Sequence, residues 1–196
     1  MQNKIMKILL TIITVAWLGF ANAAVVAGNP NGSITLAFVY DYQCGYCHEM
    51  YPIVQELTQK FPDLKVRMMP VAVINQTSVY EAAAAIAATN TNQFWDFSNQ
   101  VMAEGALTDE QVAAILKQLG LDTVAFQKTM HSQAVEEQLT QGQALMAASG
   151  HKGTPLFVIY PSALDPSHSV VVSGAQSLQA MESAIQDVQQ KMQSLN

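Results

Sequence analysis

Two cysteines occur in the chain, Cys44 and Cys47, with only Gly45 and Tyr46 between them. Two thiols cannot build a disulfide framework or a four-thiolate zinc site. A disulfide across two intervening residues closes so small a loop that it removes little entropy from the unfolded chain. The pair is therefore better suited to chemistry than to stapling. The segment before it, Ser33 to Tyr40, is rich in β-branched and aromatic residues, and the segment after it has helical spacing. That puts Cys44 where a strand ends and a helix begins. A sulfur there faces unpaired backbone N–H groups and the positive end of the helix dipole. Both favour thiolate over thiol, so the Cys44 pKa is expected to fall below that of a free cysteine. The thiolate is the attacking species in disulfide exchange. Cys47, one turn into the helix, is expected to be less exposed and to resolve a mixed disulfide formed at Cys44. Gly45 and Tyr46 would tune the redox balance.

The neighbours admit rival chemistries. Cys44-x-x-Cys47-His48 is also the attachment pattern of c-type haem, and ten methionines offer an axial ligand. The haem pattern here follows a β-branched strand and opens a proline-containing helix, which argues against it. His48 otherwise assists ionisation of the thiols or is solvated. No metal site is expected, because adjacent Cys47 and His48 cannot readily face one ion and no second ligand pair follows. His131, His151 and His168 show no motif, although His151 shortly precedes Thr154-Pro155. Four of the six tyrosines fall at Tyr40, Tyr42, Tyr46 and Tyr51. Tyr40 reads as core and Tyr51 as a helix-face residue, leaving Tyr42 and Tyr46 near a substrate. Asp41 reads as a cap for the active helix or a solvated loop residue rather than a proton relay.

The elements that position these groups follow from periodicity. Met50, Ile53, Val54, Leu57 and Phe61 recur at helical spacing, with Pro52 inside the run as a kink. Leu64 to Ile74 reads as a second strand, so the first part is strand, helix, strand with a parallel crossover. From about Ser78 to Ser149 the chain turns helical, starting with the alanine-rich stretch that Glu81 opens and including a capping box at Thr108-Asp109-Glu110-Gln111. Strand patterns return at Leu156–Tyr160 and Ser169–Val172. Leu178, Met181, Ile185, Val188 and Met192 then mark a final helix. The expected fold class is α/β, ordered βαβ, helical insertion, ββα. Residues 24–77 and 150–196 would be the two halves and 78–149 the insertion.

At 196 residues the chain suits one domain with an insertion, and its net charge of −6 argues against nucleic acid as the principal partner. Lys4 and Lys7 precede an uncharged run from Ile8 to Phe20, followed by Ala21-Asn22-Ala23. That run is short for a membrane span, so residues 1–23 are expected to be a cleaved signal peptide. Its removal leaves seven basic against fifteen acidic residues, a formal −8.

The sequence resembles bacterial periplasmic thiol-disulfide oxidoreductases of the DsbA type, in the thioredoxin superfamily. Three features carry the likeness: the run Phe38 to Cys47, Pro52 eight residues beyond the first cysteine, and Gly153-Thr154-Pro155 ahead of a strand. The helical interruption of a thioredoxin core adds to it. The resemblance implies that Cys44 is the nucleophile and Cys47 the resolving cysteine of a redox-active disulfide, with no cofactor. It implies that Pro155 is the family's cis-proline and that the Thr154 backbone docks substrate as a short added strand, beside Tyr46. Unfolded or misoxidised exported proteins would be substrates, and a membrane redox partner would restore the pair. Cys-Gly-Tyr-Cys with threonine before the proline is more like the family's isomerases. Those carry an amino-terminal dimerisation domain, for which only about ten residues stand between the cleavage site and the first clear strand. An oxidase is therefore somewhat favoured over an isomerase, with monomer or dimer undecided. A haem-bearing electron carrier and a redox-inert binding module on a thioredoxin fold are the alternatives.

Overall fold

The computed structural model describes residues 25–163 and 169–194. The expected export segment, residues 1–23, and His168 lie outside the described residues. Strand β2 (Ile34–Tyr40) is buried at every position and lies at the centre of a sheet. Its partners are β3 (Leu64–Pro70), parallel, and β4 (Leu156–Pro161), antiparallel. Strand β1 (Val25–Gly28) pairs antiparallel with β3, and β5 (Val170–Ser173) with β4, so the order is β1-β3-β2-β4-β5. Helix α1 (Gly45–Lys60) makes the crossover between β2 and β3.

Two faces explain the continuous apolar run of β2. Ile34, Leu36, Phe38 and Tyr40 belong to the larger core with Met50, Val54 and Leu57 of α1 and Met181, Ile185 and Val188 of α7 (Leu178–Gln193). Ala37 and Val39 face a second cluster with Met69, Val71, Leu156, Val158 and Met146. A strand covered on both sides has no reason to alternate polar and apolar residues. Register is held by the aromatic pair Phe38 and Phe157, which are cross-strand partners with ring centroids 5.0 Å apart and planes at 6°.

Between β3 and β4 runs the helical insertion: α2 (Gln76–Ala88), α3 (Phe94–Glu104), α4 (Asp109–Gln118), α5 (Val124–Met130) and α6 (Gln133–Ala148). The expected capping box is present, Thr108 and Gln111 exchanging side-chain and backbone hydrogen bonds at the start of α4. A second one, Asn75 with Ser78, starts α2. Helix α6 supplies Met146 to the second cluster and approaches closely at Gly142, where a Cβ would collide with the Val71 side chain. The order βαβ, helices, ββα is thus as expected from sequence, with two differences. The second strand ends at Pro70 rather than Ile74, because residues 71–74 turn to meet Asp41. Strand β1 (Val25–Gly28) is an added edge strand that the sequence pattern does not mark.

Candidate active site

Strand β2 delivers the chain to a tight turn at residues 41–44. The Cys44 N–H donates to the Asp41 carbonyl at 3.0 Å, and Cys44 becomes the N-cap of α1. Its carbonyl accepts from the N–H groups of Cys47 and His48, at 2.8 and 3.2 Å. No side chain caps the helix, and no acidic residue lies in its first turn. No side chain therefore competes for the leading N–H groups of this sixteen-residue helix. Pro52 lies inside α1, which continues on both sides of it.

The two sulfurs differ in environment. Cys44 is 8% exposed and its Sγ donates to the Thr154 carbonyl at 3.3 Å. Cys47 is fully buried, and burial pushes its thiol pKa well up, against the pull of Asp41 backbone and Thr154 side-chain hydrogen bonds. Both thiols are free. The Thr154–Pro155 peptide is cis, and the Pro155 carbonyl accepts from the Gly174 N–H at 2.9 Å. The structure thus brings Cys44, Cys47 and Thr154-Pro155 together from opposite ends of the chain. Gly45 and Tyr46 are exposed, Tyr46 by 62%.

Other expected site residues lie elsewhere in the network. Tyr42 is not on the rim. It is fully buried, hydrogen-bonded through its hydroxyl to Ser98 and Tyr40, because its ring packs edge-on against Tyr40 and Phe97. Asp41 does not cap α1. Its Oδ1 accepts from the Gln43 N–H at 2.9 Å, while Oδ2 accepts from the N–H groups of Val73 and Ile74, at 2.8 and 3.1 Å. A buried carboxylate with three backbone donors holds two loops together. His48 is half-buried and its Nε2 hydrogen-bonds the Tyr42 carbonyl. With that nitrogen engaged and Cys47 fully buried, the three groups of the haem pattern do not face one accessible side. His151 is half-buried just after α6, its N–H donating to the Met146 carbonyl.

Two polar residues beside the site have no motif to announce them. Gln43 Nε2 donates to both carboxylate oxygens of Glu81 and to the Leu107 carbonyl, each at 3.0 Å, while its Oε1 accepts from Asn75 Nδ2 at 3.3 Å. Glu81 is fully buried on α2. Burial, reinforced by Asp41 and Asp109 and opposed by Gln43, pushes its pKa up to about 7. The one clue in the sequence is an acidic residue at the head of an alanine run, Ala82 to Ala85.

The fully buried Cys47 thiol, the Cys44 sulfur at a helix start and the cis Thr154–Pro155 peptide beside it, on a five-stranded sheet, agree with a comparison of sequences. The DSBA-like thioredoxin domain matches residues 35–186. The chain belongs to that family. A thioredoxin-like oxidoreductase from Silicibacter pomeroyi DSS-3 is 28% identical and superposes with a TM-score of 0.77, over 87% of this chain and 94% of that one. The thiol-disulfide exchange protein alpha-DsbA2 from Wolbachia pipientis shares the fold, with a TM-score of 0.69, 22% identity, and coverage of 83% and 85%. Among curated proteins, the Na(+)/H(+) antiporter NhaA 1 of Salinispora arenicola is 24% identical over 137 residues, 68% of this chain. The chain spans only 21% of that antiporter's length. No helix among the described residues is long and apolar enough to cross a membrane. The fold class is that of the DSBA-like family, a thioredoxin-type α/β sheet with a helical insertion, and the family is one of thiol-disulfide oxidoreductases.

Proposed function

We propose that the protein is a periplasmic oxidase that forms disulfides in unfolded exported polypeptides. In this reading residues 1–23 are the export signal, 24–77 and 150–196 form the exchange unit, and 78–149 are its helical insertion. The observation that carries it is Cys44 at the start of α1, its sulfur 3.3 Å from the Thr154 carbonyl. A substrate thiolate attacks Cys44 Sγ of the Cys44–Cys47 disulfide, forming a mixed disulfide and expelling the Cys47 sulfur. The expelled sulfur takes up a proton, which its burial favours. The second substrate thiol then attacks the substrate sulfur of the mixed disulfide and expels Cys44. The substrate loses two electrons and two protons, the cysteine pair becomes a dithiol, and a membrane redox partner reoxidises it.

Two features support the oxidative direction. Cys44 is the leaving sulfur of the second exchange and stands at the start of α1, where no side chain caps the helix. Cys47, held protonated, competes poorly for the mixed disulfide, leaving it to the substrate's second thiol. The exposed Tyr46 ring, two residues from Cys44, and exposed Val73 and Ile74, whose backbone N–H groups meet Asp41, are uncharged surfaces suited to polypeptide of no fixed charge. The carbonyl of Thr154 can accept from a substrate backbone N–H as a short added strand. The test is to mix the oxidised protein with a reduced, unfolded secreted protein and count the disulfides formed. Stoichiometric oxidation is expected. Refolding of a scrambled-disulfide protein without net oxidation would reassign the protein as an isomerase, and inactivity in both assays would refute the enzymatic reading.

A further inference from the structure

Glu81 is a buried acid for which the exchange chemistry above has no use. Among the described residues no cation pairs with it. The groups facing it are Gln43 at the active-site turn, Asp41 at the end of β2, Asp109 at the start of α4, and the Tyr42 hydroxyl, all neutral or acidic. An uncompensated carboxylate in such a place is costly, and its donor is the Gln43 amide. That amide has no freedom left. Its N–H groups serve Glu81 and the Leu107 carbonyl, its oxygen serves Asn75, and its backbone N–H serves Asp41. The next residue along the chain is Cys44, the N-cap of the active helix.

We propose that Glu81 is a positioning residue for the exchange site: through Gln43 its carboxylate fixes the turn that presents Cys44, and its protonation releases that turn. The physical reason is one of donor and acceptor count. The carboxylate offers both oxygens to the Gln43 amide, whereas the neutral acid turns one of them into a donor facing an N–H group. The two protonation states therefore prefer different placements of Gln43, and the peptide it shares with Cys44 transmits the difference. Linkage makes the coupling reciprocal: whatever alters the turn, including oxidation of Cys44, alters proton affinity at Glu81. The carboxyl titrates at about 7, so both states are populated around neutral pH.

The inference rests on the exchange reading, but its test does not need a substrate protein. The rate of Cys44 alkylation by iodoacetamide is measured on the reduced protein across pH, for wild type, Glu81→Gln and Gln43→Ala. Each variant's fold is checked by circular dichroism. Wild type is expected to show an inflection near pH 7, beyond the titration of the thiol itself, changing the rate by about threefold or more. Both variants are expected to lose it. A folded Glu81→Gln that retains the inflection overturns the role of Glu81. A folded Gln43→Ala that retains it, while Glu81→Gln loses it, overturns transmission through Gln43. Should either variant unfold, Asn75→Ala, which removes one clamp on Gln43, is expected to weaken the inflection, and an unchanged profile there overturns the proposal. Inactivity in both the oxidation and the refolding assay with the inflection intact would refute the exchange reading alone.

Discussion

On the sheet side of the active-site turn, Phe38 stacks on Phe157 at the core of paired strands, and the Thr154 carbonyl meets Cys44 from β4. On the insertion side, Tyr42 packs against Phe97 and Ser98 of α3, and the residue next to Cys44 is held by side-chain hydrogen bonds from Gln43 to Glu81, Leu107 and Asn75. The first attachment is built of apolar area and backbone ladders, which do not respond to pH. The second adds to its apolar packing one titratable carboxylate, Glu81. The difference suggests a division of labour, with the sheet placing the sulfurs and the insertion adjusting how they are presented.

The largest effects should come from the sulfurs. Cys44→Ser is expected to abolish exchange, while Cys47→Ser accumulates mixed disulfides visible on non-reducing gels; equal partial losses would contradict the unequal environments. Next, Phe157→Ala should lower stability by about 3–5 kcal/mol in denaturant titrations, since it removes a fully buried ring from the central register. Asp41→Ala strands three backbone donors and is expected to cost about 2–3 kcal/mol. A loss as small as that of an exposed substitution would show that residues 71–74 are held by something else.

The insertion side should give smaller effects that depend on pH. The folded-state pKa of Glu81 lies above its ordinary value, so its contribution is fully present below the ordinary carboxylate range and is lost as pH rises through about 7. Glu81→Gln should flatten that decline and be more stable than wild type above pH 7, by on the order of 2 kcal/mol. A parallel pair of stability–pH curves would dissociate Glu81 from the buried joint. The smallest effect is expected from Tyr46→Ala, which should leave stability within about 0.5 kcal/mol because the ring is exposed, yet slow exchange with an unfolded substrate. Unchanged kinetics would remove Tyr46 from substrate contact.

Cys44 and Cys47 were legible because strand and helix periodicities meet at them, and a helix start has one electrostatic character wherever it occurs. The order of elements was legible for the same reason: the apolar spacing in Met50–Phe61 and Leu178–Met192 records the face each helix buries. Tyr42 was misread as a rim residue because period alone does not say that α3 packs over it, where Phe97 and Ser98 receive its ring and hydroxyl. Asp41 was misread for a related reason, as its partners Val73 and Ile74 are 32 and 33 residues away.

The sequence by itself determined that two thiols stand at a helix start within an α/β chain, since local spacing and helix electrostatics require no distant residue. Only the tertiary structure decided which sulfur is reachable, that Thr154 meets it across 110 residues, and that Glu81 stands behind Gln43. Burial and hydrogen-bond partnership belong to chain segments folded against one another, and neither quantity exists for a residue until its neighbours have arrived.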